Sequence, residues 1–331
     1  MSRKRAHRMT TSVQQPAFSE KRKLWLEALN GTDGNSIVSQ IFQMTWDDAS
    51  FRVINEARRL APVDPDGSVQ LNGLVLRLLN RGFLAIQASA IRRLADKACH
   101  RSNPLEGKEG VCSLIALIGD MRKHRSLLTR RAMFDAEGRA YDNERCHEHG
   151  MADAEGRAYH NERRHEHIDR LAGVKPENRQ RDDTIREDVF DNLRIKIDKA
   201  TETISEYATK FLAHAATPDS RAYVNADDIE ITLGCLREAQ RSLSEVTGFL
   251  AVEILGDSCS TNFLPKPVCA HLEYIEMPLT APENKQKLLE VWRQCERKSG
   301  QWSGWRLDEY EKEFSDAPPA AGNQESGVPD M

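Results

Sequence analysis

Within nine positions the sequence places Arg92, Arg93, Asp96 and His100. On a helix, Arg93 and His100 are seven residues apart and share one face. A guanidinium so placed can hold the nonbridging oxygens of a phosphodiester, and the imidazole can take a proton from the adjacent 2′-hydroxyl. Those are the working parts of a metal-independent ribonuclease. The plainer alternative is a surface arginine and a histidine near a helix C-terminus, where positive charge is favoured in any case.

A second concentration of chemistry lies in an internal repeat. DAEGRAYDNERCHEH at 135–149 is followed by DAEGRAYHNERRHEH at 153–167, matching at thirteen of fifteen positions with a period of eighteen. His147, His149, His160, His165 and His167 fall here beside Cys146. Two His-x-His pairs and a thiolate can bind zinc if they converge. A copied segment also doubles its histidines without any ligand, and the flanking Arg and Glu suit a solvated surface. The pair carries no apolar stripe, so it reads as a duplicated charged loop, which a surface connection absorbs at low entropic cost. No metal and no cofactor is assigned. Phosphate-loop, dinucleotide, zincin and nucleophile-elbow motifs are absent. The carboxylate pairs Asp182–Asp183 and Asp227–Asp228 read as charges at helix starts.

The elements that must position these groups read as helices throughout. Helix formers dominate and aromatics are only 6% of the chain, so the expected fold class is all-α, a bundle of long amphipathic helices with an irregular charged loop insertion. Ser19 opens a helix that Gly31 ends, and further helices are expected at 36–46, 47–60 and 110–128. Along 68–100, Leu71, Leu74, Val75, Leu78, Leu79, Ile86, Ala90 and Leu94 recur at helical spacing. Val189, Leu193, Ile197, Ile204, Tyr207, Phe211 and Leu212 do the same across 182–214. A helix capped by Asn225 carries Ile229, Leu233, Leu236, Leu243, Val246, Leu250 and Ile254 up to Gly256. All three stripes are expected to be core.

The domain reading is a basic tail at 1–17, a helical domain at 18–256 interrupted at 135–167, an irregular segment with short helices at 257–314, and a Pro/Ala/Gly-rich tail at 315–331. The formal charge of −4 offers no global field for nucleic acid, so contact with phosphate needs a local patch. Seven scattered cysteines without a C-x-x-C pair fit reduced thiols. The basic N-terminus has no apolar run behind it, and no window reads as apolar enough for a membrane span. The expected location is the cytoplasm, with no membrane partner.

Four phrases, FRVINEARRLA, LNRGFLAIQASAIRRLAD, VCSLIALIGDMRKHRSLLTRR with DAEGRAYD, and YATKFLAHAATPDSR, together resemble the AbiU2-like branch of the HEPN superfamily across most of residues 20–255. The resemblance implies an all-helical, usually dimeric prokaryotic protein linked to abortive infection or to toxin–antitoxin systems. It also implies an Arg-x(4–6)-His motif that cleaves RNA without a metal. Arg93 and His100 carry that pattern here at its longest spacing. His214 has no arginine at the matching distance upstream.

Two functions emerge as expectations. One is an RNA-directed defence protein with Arg93 and His100 in a cleft lined by Arg92, Asp96, Arg122, His124 and His214, working as a homodimer or with an antitoxin partner. The other is a non-enzymatic helical interaction module whose arginines pair with neighbouring carboxylates. Exposure or ion pairing of Arg93 separates them.

Overall fold

The computed structural model describes residues 18–60, 65, 73–97, 105, 110–138, 151–213, 217–221, 225, 229–257, 286, 290 and 293–294. His100, His214, Asp227, Asp228, the first repeat copy beyond Gly138 and both expected tails lie outside them. The chain divides into two compact units, Met1–His271 and Leu272–Met331. In the second, the described residues 286, 290, 293 and 294 are all helical.

The first unit is all-α. Its helices are α1 (18–30), α2 (Ile37–Arg59), α3 (Gly73–Leu94), α4 (Leu114–Lys123), α5 (Arg130–Ala136), α6 (Met151–Ala172), α7 (Glu187–Tyr207) and α8 (Leu233–Gly248). Six-residue π-helical segments, Ala208–Ala213 and Phe249–Ile254, extend α7 and α8. No strand occurs among the described residues beyond an isolated bridge between Thr129 and Thr184.

Side-chain caps fix where several helices begin. Ser36 Oγ accepts from Ser39 N before α2, Ser113 Oγ from Ala116 N at 3.0 Å before α4, and Thr129 Oγ1 from Ala132 N before α5. The expected break between 46 and 47 does not occur; α2 runs through it, because neither Trp46 nor Asp47 interrupts the hydrogen-bond ladder. Nor does Asn225 cap α8. Thr232 does, accepting from Cys235 N at 3.1 Å, and residues 229–232 are not helical.

α7 packs against α3, α4 and α8, and α3 also against α2 and α8. The core joins Trp25 and Leu29 of α1, Ile37, Ile41 and Met44 of α2, Ile91 and Leu94 of α3, and Leu114 and Leu117 of α4. Phe190, Ile197 and Ile204 of α7 and Leu236, Leu243 and Val246 of α8 complete it. Two polar links stitch this core. Gln240 Nε2 donates to Gln87 Oε1 and Gln87 Nε2 to the Met44 carbonyl, both at 2.9 Å, tying α8, α3 and α2. Trp25 Nε1 donates to Asp120 Oδ2 at 2.7 Å.

The α3 stripe is partly reversed from expectation. Ala90 and Leu94 are buried, but Leu74, Leu78 and Ile86 face outward, with Leu78 74% exposed. The inner face is instead Phe83, Gln87, Ala88, Ile91 and Leu94. The helix is apolar on both sides, so periodicity alone does not choose its face. For the same reason this 22-residue helix is long and apolar enough, by length and composition, to cross a membrane, contrary to expectation. Its inner face is packed within the bundle.

Candidate functional site

The last turn of α3 carries Arg92 and Arg93, and Asp96 and Lys97 come just after it. Arg93 is exposed and forms no ion pair among the described residues. Arg92 is half-buried, and its Nε donates to Thr209 Oγ1 at 2.9 Å, joining α3 to the π segment after α7. The Asp96 carbonyl accepts from Ser113 Oγ at 2.7 Å, so the cap of α4 also fixes the exit of α3. Lys97 pairs with Asp198 of α7 at 3.3 Å. α3 holds four arginines and no carboxylate. That makes it a local basic element on an acidic chain.

Arg122 and His124 do not join this cluster. Arg122 is held by Glu187 at 2.6 Å and Asp191 at 3.1 Å. His124 Nδ1 lies 2.9 Å from the Asp120 carbonyl oxygen and 3.3 Å from Asp120 Oδ1, so it donates within its own turn. No hydrogen bond or ion pair among the described residues connects either one to Arg92 or Arg93. The nearness of α4 to α3 in sequence suggests a shared cleft. The carboxylates of α7 claim Arg122 instead.

A second, unexpected cluster centres on Arg130, whose side chain has no solvent exposure. Its Nη2 donates to Asp169 Oδ1 at 2.7 Å and to Asp183 Oδ2 at 2.8 Å, while Nη1 reaches the His165 carbonyl at 3.2 Å. His165 Nδ1 lies 3.3 Å from the same Nη1 and, facing a group that only donates, acts as acceptor. The His165 ring stacks on Phe134 with centroids 4.3 Å apart. Arg179 adds bonds to both oxygens of Asp169 and a 2.8 Å pair with Glu162. Burial raises the Asp169 pKa, but the hydrogen bonds from Arg179 and Arg130 outweigh it and hold the carboxyl below its ordinary value. The hydrogen bond from Arg179 likewise lowers Glu162. Asp183 therefore completes a buried ion network and does not cap α7, which starts four residues later behind Arg186.

For the second copy of the repeat, the loop reading is overturned. Residues 151–172 form α6, and the second copy lies within it. Arg164 pairs with Glu137 at 2.5 Å and donates to the Glu253 carbonyl at 3.0 Å, while His167 Nε2 meets Glu253 Oε2 at 2.8 Å. Burial pushes the His167 pKa down, reinforced by Arg164 and Arg170 and opposed by Glu253 and Glu137. The sequence does carry a signal for this helix, a 3-4-3 spacing of Asn161, Arg164, Ile168 and Leu171, all buried. Half of those residues are polar, so a search for apolar stripes passes over it.

Among the described residues no group of three or more His, Cys, Asp or Glu side chains is arranged to hold a metal ion. His147, His149 and Cys146 lie outside them. Cys112 and Cys235 are both unpaired thiols. A surface groove of about 460 Å³ runs along α1 between Ser19, Arg22, Lys23 and Asn30 and, opposite, Ala136 and Asp257. Arg22 is already committed there to the Leu255 carbonyl at 2.7 Å, ending the helical run after α8.

No family model, no curated protein and no solved structure matches this chain.

Proposed function

We propose that the chain is an RNA-directed helical protein of the HEPN type, acting in prokaryotic defence through the arginines at the end of α3. The observation that carries this reading is Arg93. It stands exposed, without a carboxylate partner among the described residues, at the end of a helix that holds four arginines and no acid. Elsewhere on the bundle Arg122, Arg130, Arg164 and Arg179 are all claimed by carboxylates. A free guanidinium on a locally basic helix is what a phosphodiester needs.

In this reading Arg93 takes a nonbridging phosphate oxygen and His100 accepts the proton of the 2′-hydroxyl, whose oxygen attacks phosphorus as the 5′-oxygen leaves. RNA is the substrate, a second copy or an antitoxin-type protein is the partner, and the compartment is the cytoplasm. The test is incubation of the full chain with total RNA in EDTA, beside an Arg93→Ala/His100→Ala variant. Cleavage by the wild type that disappears in the variant supports a ribonuclease. Retained binding without cleavage reduces the reading to an RNA-binding relative, and absence of both removes it.

A second reading, a non-enzymatic interaction module, is favoured by the ion-paired Arg122 and by α2. Phe42 and Val53 on that helix and Leu60 at its C-cap remain exposed, and Phe42, Trp46, Ala49 and Val53 lie along one stripe opposite its core face.

A further inference from the structure

The π segment Ala208–Ala213 stands out from the α-helices around it. Such π turns are rare and are frequently found at functional positions. Ala208 is buried against the core, and Thr209 is bonded to Arg92. Phe211 is half-exposed and is not among the residues packed on the core. Tyr207, one turn earlier, is half-buried and packed against the core, and its ring centroid lies 5.4 Å from that of Phe211 at a 35° tilt. The Arg221 guanidinium sits 5.5 Å above the Phe211 ring. No carboxylate pairs with Arg221 among the described residues, and its Nε is buried with no hydrogen-bond partner.

The half-exposed Phe211 ring, with Tyr207 beside it and a stacked arginine that has no carboxylate partner among the described residues, forms an arrangement with unused capacity. Every nucleobase has a π-face that an exposed ring can accept without sequence preference. A guanidinium lying on an aromatic face is held in place by that contact and keeps donors for a phosphate. A buried donor without a partner is the kind of group a ligand satisfies. The same π segment is tied through Thr209 to the arginine pair at the end of α3.

We infer that Tyr207, Phe211 and Arg221 form a stacking platform for the bases of single-stranded RNA, with Arg221 taking a backbone phosphate. The platform rests on the RNA reading above and specifies the strandedness that it selects. Stacked duplex RNA offers no free base faces, so the platform discriminates against it.

The test is fluorescence anisotropy of the full chain with a fluorescein-labelled oligouridine and with a labelled RNA duplex, in moderate salt. Circular dichroism of each variant controls for folding. Phe211→Leu removes the ring while keeping apolar bulk, and Arg221→Gln removes the charge at a half-buried turn position. Each is expected to weaken oligouridine binding about tenfold and to leave duplex binding unchanged. Arg93→Ala is expected to weaken both RNAs. If Arg93→Ala weakens binding while Phe211→Leu and Arg221→Gln bind oligouridine like the wild type, the RNA reading stands and the platform is overturned. Equal loss of duplex and single-strand binding in those two variants also overturns it. If the wild type binds neither RNA, both inferences fall, and the exposed aromatic patch is left to a protein partner.

Discussion

The tetrapeptide Asp-Ala-Glu-Gly occurs twice, and its two copies adopt different structures. At 135–138 it ends a helix: Asp135 and Ala136 close α5, Glu137 is the C-cap, and Gly138 turns to φ +66°. At 153–156 the same residues lie inside α6. Local propensity is identical at both sites, so it cannot be the cause. The difference comes from the partners that each copy meets. Glu137 is drawn to Arg164 and packs against Gly256, where a Cβ would come within 2.6 Å of Glu137 Oε1. The second copy continues into Ile168, Asp169 and Leu171, which are buried against α5 and the segment before α7. Tertiary partners override the local preference. Arg164 also stands at one of the two positions where the copies differ, Cys146 being its counterpart.

The comparison breaks most severely at Arg130. Arg130→Ala leaves Asp169 and Asp183 short of their buried cation, and the expected loss is about 3–5 kcal/mol in urea denaturation. A loss under about 1 kcal/mol would mean that α6 is not held by this network. Next comes Arg164→Cys, which makes the second copy resemble the first at the residue that joins them. Losing the Glu137 pair and the bond to the Glu253 carbonyl is expected to cost about 2–3 kcal/mol, with faster amide exchange along 159–172 as the local readout.

A single type of substitution should then act with opposite signs in the two copies. Gly138→Ala forces a Cβ into a left-handed conformation and is expected to destabilise by about 1–2 kcal/mol. Gly156→Ala replaces a helix-interior glycine and is expected to stabilise by up to about 1 kcal/mol. Thermal melts of the two variants with the same sign of change would contradict the assignment of two conformations.

The smallest effect is a pH dependence. Because burial lowers the folded-state pKa of His167, the unfolded chain binds more protons as pH falls through the ordinary histidine range. The contribution of His167 is therefore complete above that range and declines toward the lower folded pKa. His167→Gln should flatten the loss of stability between pH 7.5 and 5.5, as read from urea midpoints at both values.

Much of the fold is legible in sequence because it rests on local chemistry. Gly31 ends α1, Ser36 starts α2, and the stripes on α7 and α8 deliver Ile197, Ile204, Leu236, Leu243 and Val246 to the core. Three departures from expectation share one cause. α3 is apolar on two faces, α6 buries arginine and asparagine where a stripe search expects leucine, and Asp183 looks like a cap although its partner lies 53 residues away. Each is settled by a contact distant in sequence.

Of the candidate site, residue types and spacing mark Arg92, Arg93 and Asp96, but only packing shows that Arg92 is spent on Thr209 and Arg122 on Glu187 and Asp191. Sequence alone determined that this chain is helical, since propensity, caps and period are properties of neighbouring residues. Which faces are buried, which arginines remain unpaired and how one repeated peptide takes two structures were decided by the tertiary fold. The reason is that desolvation and ion pairing depend on groups brought together only when the helices pack.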